Sequence, residues 1–313
     1  MSHDARVLVT GGAGFIGSNL TAALLAAGHE VTVLDDLSSG YSKNLEPGPA
    51  LTFLEGDVRD RAAVQRAIEG ASVVFHLAAS VGNKKSIDDP VHDAEVNVLG
   101  TLNVLEEARR AGVRRLVASS SAGIFGELKT LPIREDHPAE PDTPYGSTKL
   151  CGEKLCLAYA KLWGLGVVCL RYFNVYGPNQ RFDAYGNVIP IFVFKLLRGE
   201  RLTVFGDGEQ TRDFVNVHDV VQANLKAAAA DGVTGAFNIG SGTRISINEL
   251  VHQIEKASGR KVAFEYAPPR AGDVRDSLAD IGAARARLGF DPTVGLAEGL
   301  SEYVRWAESE IAG

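Results

Sequence analysis

The amino-acid sequence predicts an α/β fold with a doubly wound parallel sheet and a smaller C-terminal α/β domain. Short, nearly continuous apolar runs alternate with segments of helical periodicity, a pattern typical of parallel strands covered by helices on both faces. A glycine-rich turn joins the first apolar run to the first helical segment, as in Rossmann-type sheets. Beyond Gly177 the segments are mixed and richer in proline and glycine, which predicts one domain at residues 1–175 and another at residues 176–313.

The first elements follow one another closely. The apolar run Arg6–Thr10 predicts a buried strand. Phe15–Ala27 has the periodicity of a helix, and Gly28 just past it is a favourable residue for a helix end. The next strand is predicted at Glu30–Asp36. This alternation of strand and helix favours a parallel sheet.

The later elements continue the alternation through the middle of the chain. Further strands are predicted at Val73–Ala79, Leu116–Ser121 and Val167–Asn174. Two long helices are predicted at Val96–Ala111, before Gly112, and at Tyr145–Trp163, before Gly164. Strands of the second half, such as Ala236–Ile239, are candidates to rejoin the first sheet, so the border near residue 175 is approximate.

Composition and charge narrow the class of protein. The 313 residues are 45% hydrophobic and 23% charged, which is ordinary for a globular protein. The formal net charge of -7 argues against a nucleic-acid partner, because no basic face is available for phosphates. No apolar run approaches the roughly 18 residues of a membrane span, and no signal-peptide pattern precedes Val7. We therefore expect a cytoplasmic protein without a membrane partner.

The cysteines suggest neither a disulfide nor a metal site. Cys151 and Cys156 are five residues apart in one predicted helix, so their side chains point in different directions. Cys169 lies in a predicted strand, and no CxxC pair or Cys/His cluster is present in the sequence. We expect all three to be reduced, with no bound metal.

The glycine-rich turn predicts a phosphate-binding loop. Gly11 permits the tight turn, Gly14 lets backbone N–H groups approach a pyrophosphate, and Gly17 allows close packing of helix and strand. The start of the helix, at Phe15 and Ile16, then faces the negative charge.

An acidic residue at the end of the second strand indicates the kind of nucleotide. Asp35 follows Gly17 by 18 residues, where a carboxylate accepts both ribose hydroxyls and repels a 2′-phosphate. NAD is therefore expected rather than NADP, the alternative being an ordinary glycine-rich turn with an exposed aspartate. Asp57 and Val58 follow another apolar run and are candidates for contact with the adenine, or else form a surface turn.

A tyrosine and a lysine four residues apart predict a catalytic pair. Thr143 and Pro144 suit the start of a helix that brings Tyr145 and Lys149 onto one face. A tyrosine with a pKa near ~10 is a weak base at neutral pH, and a nearby ammonium and nicotinamide ring favour its phenolate. Ser121, at the end of a strand, is placed to donate a hydrogen bond to the same substrate oxygen. The alternative is a surface pair without catalytic function.

Motifs spread over nearly the whole chain resemble the extended short-chain dehydrogenase/reductase family, and most closely its UDP-sugar 4-epimerases. The motifs are Gly11–Gly17, Asp35, His76–Ala79, Ser119–Gly126, Tyr145–Lys149, Arg171–Gly177, Gly206–Gly208, Thr211–Asp213 and Arg270–Asp273.

The resemblance implies roles for particular residues. Ser121, Tyr145 and Lys149 match the catalytic residues, and Tyr145 and Lys149 also contact the cofactor. Leu77, Ala78 and Ala79 match a cofactor-lining segment. The resemblance further implies that Asn174 lies at the substrate diphosphate and that the UDP moiety is held by Arg212, Arg270 and Asp273. It thus implies a first domain that binds NAD, a second that binds a UDP-sugar, and C4 epimerisation.

Related enzymes with other chemistry remain alternatives. Similar dehydratases carry an Asp-Glu pair, and similar decarboxylases a glutamate, near the positions occupied here by Ala122–Phe125. The absence of an acid at these positions counts against water elimination, which needs a further proton donor. A keto-sugar reductase is not excluded. A non-catalytic NAD-sensing protein is disfavoured, because Ser121, Tyr145 and Lys149 are all present.

The sugar is left open among UDP-glucuronate, UDP-N-acetylglucosamine and UDP-glucose. Ser277 matches a pocket-limiting position, where a small residue leaves room for a larger C2 or C6 substituent. Arg181 resembles an arginine that uronate-specific epimerases place near the C6 carboxylate, and Lys84 is a candidate to assist it. The alternative for both cations is a solvated surface position.

Two further expectations concern packing. His76 ends an apolar strand, where a hydrogen-bonded core histidine is favoured over a catalytic one. The predicted helices Val96–Ala111 and Tyr145–Trp163 have apolar faces that suit a two-fold helix bundle, as in similar epimerases. We therefore expect a homodimer.

Overall fold

A computed structural model describes residues 6–183, 186–269 and 274–312 of the chain. The strands are β1 (Arg6–Thr10), β2 (Glu30–Asp35), β3 (Leu51–Glu55), β4 (Val73–His76), β5 (Arg115–Ser121), β6 (Gly166–Tyr172), β7 (Asn174–Tyr176), β8 (Leu202–Phe205), β9 (Thr211–Arg212), β10 (Phe214–Asn216), β11 (Gly235–Ile239), β12 (Ile245–Ser246) and β13 (Phe264–Ala267).

Helices alternate with these strands. They are α1 (Phe15–Ala26), α2 (Arg61–Ile68), α3 (Asn83–Asp88), α4 (Pro90–Ala94), α5 (Thr101–Arg110), α6 (Pro144–Trp163), α7 (Val188–Leu197), α8 (Val217–Ala229), α9 (Ile247–Ser258), α10 (Gly282–Leu288) and α11 (Leu296–Ala312). A π-helical segment, Glu95–Gly100, joins α4 to α5, and short 3₁₀ turns lie at Ser42–Asn44 and Ala122–Phe125.

The predicted doubly wound parallel sheet is confirmed. Seven parallel strands lie in the order β11-β6-β5-β4-β1-β2-β3. The chain winds outward from β1 to β3 on one side and from β4 to β11 on the other. The winding therefore reverses between β1 and β4. In this class of sheet, ligands bind in the crevice at the carboxyl ends of the two strands where the winding reverses.

Side chains that alternate along each strand of the sheet pack into two apolar layers, one on each face. In β1, Val7 and Val9 face the layer formed by α1, α8 and α10, whereas Leu8 faces the layer formed by α2, α5 and α6. The burial of strands on both faces explains their continuous apolar sequences.

A third core belongs to the second half of the chain. There α7, α9 and α11 pack together with β8, which pairs in parallel with β13. The strand β11 rejoins the first sheet beside β6, as the sequence analysis anticipates for Ala236–Ile239, and α8 and α10 cover the same sheet. The second half of the chain therefore contributes to the apolar layer that contains α1, α8 and α10 as well as to the third core.

Three predicted elements differ from the observed ones. The strand predicted at Val73–Ala79 ends at His76, because residues 77–79 leave the sheet for the crevice. The strand predicted at Val167–Asn174 is divided at Phe173, whose N–H donates to Ile239 O (3.0 Å), while the N–H of Asn174 donates to Asp213 O (3.3 Å). The chain thus changes strand partner at this point. The helix predicted at Val96–Ala111 begins in the π-helical segment.

The structure gives the state of the cysteines and the character of the helices in the part of the chain that it describes. All three cysteines are free; Cys151 is exposed, and Cys156 and Cys169 are buried. Among the described residues, no helix is long and apolar enough to cross a membrane.

A buried arginine closes the end of helix α8. Arg115 begins β5 and is only 2% exposed. Its guanidinium donates to the carbonyl oxygens of Ala227 (3.0 Å), Val233 (2.7 Å) and Ala230. Burial lowers the pKa of Arg115, and the negative end of the helix dipole favours the charge that remains. The arginine thus joins α8 to the first sheet.

Arg115→Met should destabilise the fold, since it leaves these carbonyl groups without their donors. We expect the free energy of unfolding to fall by about 2–4 kcal/mol. The matched control is Arg114→Met, which removes an exposed ion pair with Asp231 and should cost less than about 1 kcal/mol. Urea denaturation followed by circular dichroism measures both, and equal losses would contradict the buried-cap interpretation.

Candidate functional site

The predicted phosphate loop lies at the point where the sheet winding reverses. Gly11 has φ +70°, and a Cβ there would lie 2.6 Å from Ala78 N. A Cβ on Gly17 would lie 2.0 Å from Gly11 O, so both positions require glycine. Helix α1 starts after Gly14 with no side-chain cap, which leaves its N-terminal amides available to a ligand. The loop therefore fits a dinucleotide pyrophosphate.

The start of α1 also contributes to packing. Phe15 and Ile16 are half-buried against the first core, as expected for residues that carry the loop into the helix. Their backbone amides belong to the first turn of the helix, so their positions agree with the predicted phosphate contact.

Asp35 is buried beside the phosphate loop. Its carboxylate accepts the N–H of Ala13 and the N–H of Leu37, both at 2.9 Å. Burial raises the pKa of Asp35, and these two backbone hydrogen bonds oppose that rise. Each oxygen keeps a further lone pair for a ribose hydroxyl, so this geometry agrees with the predicted nucleotide contact.

The two candidate adenine residues lie just past β3, next to the strand that ends at Asp35. Asp57 pairs with Arg59 at 2.6 Å, and hydrogen bonding from that guanidinium lowers the pKa of Asp57. Val58 is buried against Gly100. Their contact with adenine stays a prediction.

Residues 76–79 lie against the end of β1. Leu77 N donates to Thr10 O (3.0 Å), and Ala78 N donates to the Thr10 hydroxyl (3.3 Å). This pairing holds residues 77–79, Ala79 included, beside the phosphate loop. The predicted cofactor-lining segment therefore lies where a bound dinucleotide would pass.

His76 is a hydrogen-bonded core residue, as expected. Thr101 Oγ1 donates to Asn97 O (2.7 Å), so His76 Nε2 must donate to Thr101 Oγ1 (3.0 Å). His76 Nδ1 then accepts from Thr10 Oγ1 at 2.8 Å. Burial, with the nearby Lys149 charge, lowers the pKa of His76 to about 3, so the ring is neutral near neutral pH.

Helix α6 starts as predicted and carries both candidate catalytic residues, Tyr145 and Lys149. Thr143 Oγ1 accepts the N–H of Gly146 (3.1 Å), and Pro144 is the first helical residue. Lys149 Nζ donates to the carbonyl oxygen (2.7 Å) and hydroxyl (3.2 Å) of Ser119. Burial lowers the pKa of Lys149 to about 8.

The Ser121 hydroxyl is adjacent to Tyr145. Ser121 Oγ accepts the N–H of Gly123 at 3.0 Å, and a Cβ on Gly123 would lie within 4 Å of both Ser121 Oγ and the Tyr145 ring. Burial raises the pKa of Tyr145, the hydrogen bond with Ser121 lowers it, and the charge of Asp93 raises it. The Lys149 ammonium donates to Ser119, and its expected effect on the Tyr145 pKa stays a prediction.

An asparagine that sequence reasoning missed links the crevice to the catalytic helix. Asn97 Oδ1 accepts Ser80 N (2.9 Å), while its Nδ2 donates to Ser80 O (3.0 Å) and Thr148 Oγ1 (3.1 Å). Thr148 Oγ1 in turn donates to Asp93 at 2.5 Å. In the sequence, this role of Asn97 is indicated by its being a single amide side chain in the otherwise apolar run of residues 96–99.

A buried ion pair, also missed, fixes α6 to the sheet. Arg171 donates to Glu153 from Nε (2.9 Å) and Nη2 (2.8 Å), and the Ser120 hydroxyl donates to the same carboxylate (2.7 Å). Glu153 follows Lys149 by one helical turn. The pair therefore sets the position of the catalytic helix on β5 and β6.

The described substrate-side residues gather around strand β9. Asn174 Nδ2 donates to Asp213 O (3.0 Å), Arg212 Nη1 donates to Thr211 O (2.8 Å), and Ser277 N donates to Thr211 O (3.1 Å). Asn174, Arg212 and Ser277 thus lie close together, and their contact with a substrate stays a prediction. Arg270 and Asp273 lie outside the described residues.

Asp213 organises this cluster, a role that the sequence analysis does not assign to it although it ends the motif Thr211–Asp213. Its buried carboxylate accepts both the N–H (2.7 Å) and the hydroxyl (2.8 Å) of Ser241. It also accepts the N–H of Gly242 (3.2 Å) and of Ala279 (3.1 Å). Burial raises the pKa of Asp213, and these donors oppose that rise. The contacts join three loops around Arg212.

The two candidate cations for a sugar carboxylate are each paired with a protein carboxylate. Lys84, on the short helix α3, pairs with Asp88. Arg181 pairs with Glu310 on the last helix at 2.8 Å. Their assignment to the sugar therefore stays a prediction.

Comparison with known proteins agrees with this geometry. The sequence profile of the NAD dependent epimerase/dehydratase family matches residues 7–240. UDP-glucose 4-epimerase of Mycolicibacterium smegmatis is 43% identical over 306 residues, covering 96% of this chain and 98% of the relative.

Two solved structures share the complete fold. UDP-N-acetylglucosamine 4-epimerase from Methanobrevibacter ruminantium, in complex with UDP-N-acetylmuramic acid, has a TM-score of 0.94 and 34% identity, with 98% of this chain and 99% of that one covered. MoeE5 in complex with UDP-glucuronic acid and NAD has a TM-score of 0.89 and 37% identity, with 98% and 100% covered.

Ser121→Ala should move the pH dependence of turnover with a UDP-sugar to higher pH. The variant loses the hydrogen bond that lowers the Tyr145 pKa, so a higher pH is needed to form the phenolate. We expect turnover at pH 7 to fall roughly 10²-fold. The measurement is kcat between pH 6 and pH 10; Ser121→Thr keeps a hydroxyl and serves as control. A profile of unchanged position in Ser121→Ala would argue against this role.

Proposed function

Since this chain belongs to the NAD dependent epimerase/dehydratase family, we propose that it inverts C4 of a UDP-hexose through a transient 4-keto intermediate. It would be an NAD-dependent isomerase. The observation that carries the proposal is the meeting of Ser121, Tyr145 and Lys149 at the sheet edge beside the phosphate loop. A base beside a hydride acceptor is what reversible oxidation of a secondary alcohol requires.

The side chains divide the acid–base work. Tyr145, as phenolate, takes the proton of the sugar 4-hydroxyl, and bound NAD supplies a reversible acceptor for the C4 hydride. The Ser121 hydroxyl donates to the developing 4-keto oxygen. Lys149 keeps a positive charge beside the site, anchored by Ser119. After the keto-sugar has rotated, the hydride would return to the opposite face of C4 while Tyr145 gives the proton back to the 4-oxygen.

The proposed reaction requires the UDP moiety to stay fixed while the sugar turns. Arg212 supplies a cation for the diphosphate, and Asn174 supplies an amide beside it. Asp213 supports both, because its backbone oxygen accepts from Asn174 and its carboxylate joins the loops that flank Arg212. Arg270 and Asp273 remain proposed UDP contacts on sequence grounds alone.

The sugar is proposed only as a class: UDP-glucose, UDP-N-acetylglucosamine or UDP-glucuronate. Enzymes or complexes with each of these sugars, or with a muramic-acid derivative, occur among the relatives described above. Ser277 is small, which favours room for a substituted sugar. Arg181 supports a uronate less directly, because Glu310 already binds its guanidinium.

Other reactions within the family have less support. The turn Ala122–Phe125 beside Ser121 presents no acidic side chain for the protonation that water loss needs. A keto-sugar reductase would use the same three residues but would consume a reduced cofactor in each turnover. A purely NAD-sensing protein would need neither Tyr145 nor Lys149.

Proton NMR of the purified protein with each of the three UDP-sugars tests the proposal. We expect a C4-epimer signal that grows to a constant ratio without accumulation of reduced cofactor. Tyr145→Phe keeps the ring but removes the base, so turnover should fall by at least about 10³-fold while UDP binding persists. A 6-deoxy-keto, pentose or fully reduced product would instead identify a dehydratase, decarboxylase or reductase.

We also propose that a second copy of the chain covers an apolar face formed by two side-by-side helical runs. The run of residues 90–110 packs along α6 through the contacts of Asn97 with Thr148 and of Glu106 with Tyr159. On these two runs Leu99 is 54% exposed and Leu162 is 66% exposed, in agreement with the two-fold helix bundle expected from the sequence.

Leu99→Glu should shift the protein from dimer to monomer, since it would bury a charge in this interface. Sedimentation velocity at micromolar concentration measures the species. Ile311→Glu, at an exposed apolar position of α11, is the matched control and should leave the dimer intact. A 33 kDa species in the unsubstituted protein would reject the dimer.

A further inference from the structure

A shielded ion pair between Arg181 and Glu310 lies where the last helix meets a segment of the first half of the chain. Arg181 donates to Glu310 from Nε (2.8 Å) and Nη2 (3.1 Å), and their side chains are only 15% and 18% exposed. Lys43 donates to the same carboxylate at 2.7 Å. Charge-assisted bonds with this fork geometry, shielded from water, are stronger than ordinary surface ion pairs.

Aromatic rings enclose the guanidinium from two directions. Its central carbon lies 4.0 Å from the centre of the Tyr41 ring and 5.8 Å from that of the Trp306 ring. Nη2 also donates to Asn44 Oδ1 at 3.0 Å. Arg181 therefore connects α11 with a segment that contains Tyr41, Lys43 and Asn44.

That segment, residues 36–45, rests on the phosphate loop and on Asp35. The Tyr41 N–H (3.0 Å) and Asn44 Nδ2 (2.8 Å) donate to Ala13 O. A Cβ on Gly40 would lie 2.9 Å from the carbonyl carbon of Ala13 and 3.0 Å from Asp35 Oδ1. Movement of this segment would therefore uncover the side of the loop where the carboxylate for the nucleotide ribose is held.

We propose that Arg181 and Glu310 are positioning residues that hold residues 36–45 over the adenosine half of bound NAD and so slow its release. The inference rests on the NAD binding of the proposed function and does not depend on which sugar reacts. In such a reaction the hydride must return to the sugar that lost it. Loss of the cofactor between the two half-reactions would leave a keto-sugar, so slow release protects the cycle.

This role differs from the sugar-carboxylate role that the sequence suggests for Arg181. The guanidinium binds Glu310 through Nε and Nη2, so of its nitrogens only the buried Nη1, which has no hydrogen-bond partner among the described residues, is left for a second acceptor. The two roles predict different consequences of losing the arginine. The clamp predicts faster NAD release with every sugar, whereas the sugar role predicts weaker binding of UDP-glucuronate alone.

The test is the rate at which radiolabelled NAD leaves the loaded, full-length protein after dilution into unlabelled NAD. Glu310→Gln keeps the side-chain shape but removes the charge, and we expect release to accelerate roughly five- to tenfold. The KM for added NAD should rise by a similar factor, with a smaller change in kcat. Glu308→Gln is the matched control, because Glu308 lies on the same helix as Glu310 but pairs with Arg260 (2.9 Å).

Two further variants test the mechanism of the clamp. Arg181→Met should accelerate release at least as much as Glu310→Gln, because it removes the contacts with Tyr41 and Asn44 as well as the ion pair. The double variant should accelerate release by less than the product of the two single effects, because both substitutions break the same ion pair. Tyr41→Ala, at a half-exposed ring, should also accelerate release and provides a route should an Arg181 variant fold poorly.

Release at the unsubstituted rate in Glu310→Gln would overturn the inference. So would an Arg181→Met variant that raises only the KM for UDP-glucuronate while NAD release is unchanged. If the unsubstituted protein forms no epimer but Glu310→Gln still releases NAD faster, the epimerase proposal fails and the clamp stands.

Discussion

The geometry of the candidate site depends on the buried pair between Glu153 and Arg171. Taking two such charges out of water costs several kcal/mol per ion, an amount offset only by close, complete hydrogen bonding. Here the carboxylate receives two donors from Arg171 and one from Ser120. These bonds join helix α6 to β6 through Arg171 and to β5 through Ser120, the neighbour of Ser119 and Ser121 on that strand. The ion pair therefore fixes the orientation and the depth of α6 in the crevice. It does so at Glu153, one helical turn after Lys149.

With α6 fixed, the remaining polar contacts follow. Lys149 reaches Ser119 at the end of β5, and Tyr145, one turn earlier, meets Ser121 on the same strand. Asn97 then joins the opposite wall of the crevice to α6 through Thr148. Its position in a π-helical turn matters, since a widened turn changes which face of the helix a side chain takes. Both walls of the crevice are therefore positioned by their contacts with α6.

Local patterns in the sequence were sufficient for the sheet, the glycine-rich loop and the helix that carries Tyr145 and Lys149. Each of these depends on residues within a few positions of one another: the glycines of one turn, or Tyr145 and Lys149 at helical spacing. Asp213 could not be found in this way, because its carboxylate binds residues 28 and 66 positions away. Arg181 shows the same difficulty. Its sequence context suggests a ligand, whereas its carboxylate partner lies 129 positions away on α11.

The return of β11 to the first sheet has a consequence for synthesis on the ribosome. Strand β6 has β5 on one side, but its other neighbour ends at Ile239, some seventy residues further along the chain. During translation, β6 therefore presents unpaired N–H and C=O groups while the intervening chain is made. Helix α8 packs on one apolar face of the sheet formed by β6 and β11. Because α8 precedes β11 in the chain, it can shield this face before β11 is made. The sheet of the first domain thus remains incomplete until most of the polypeptide has emerged from the ribosome.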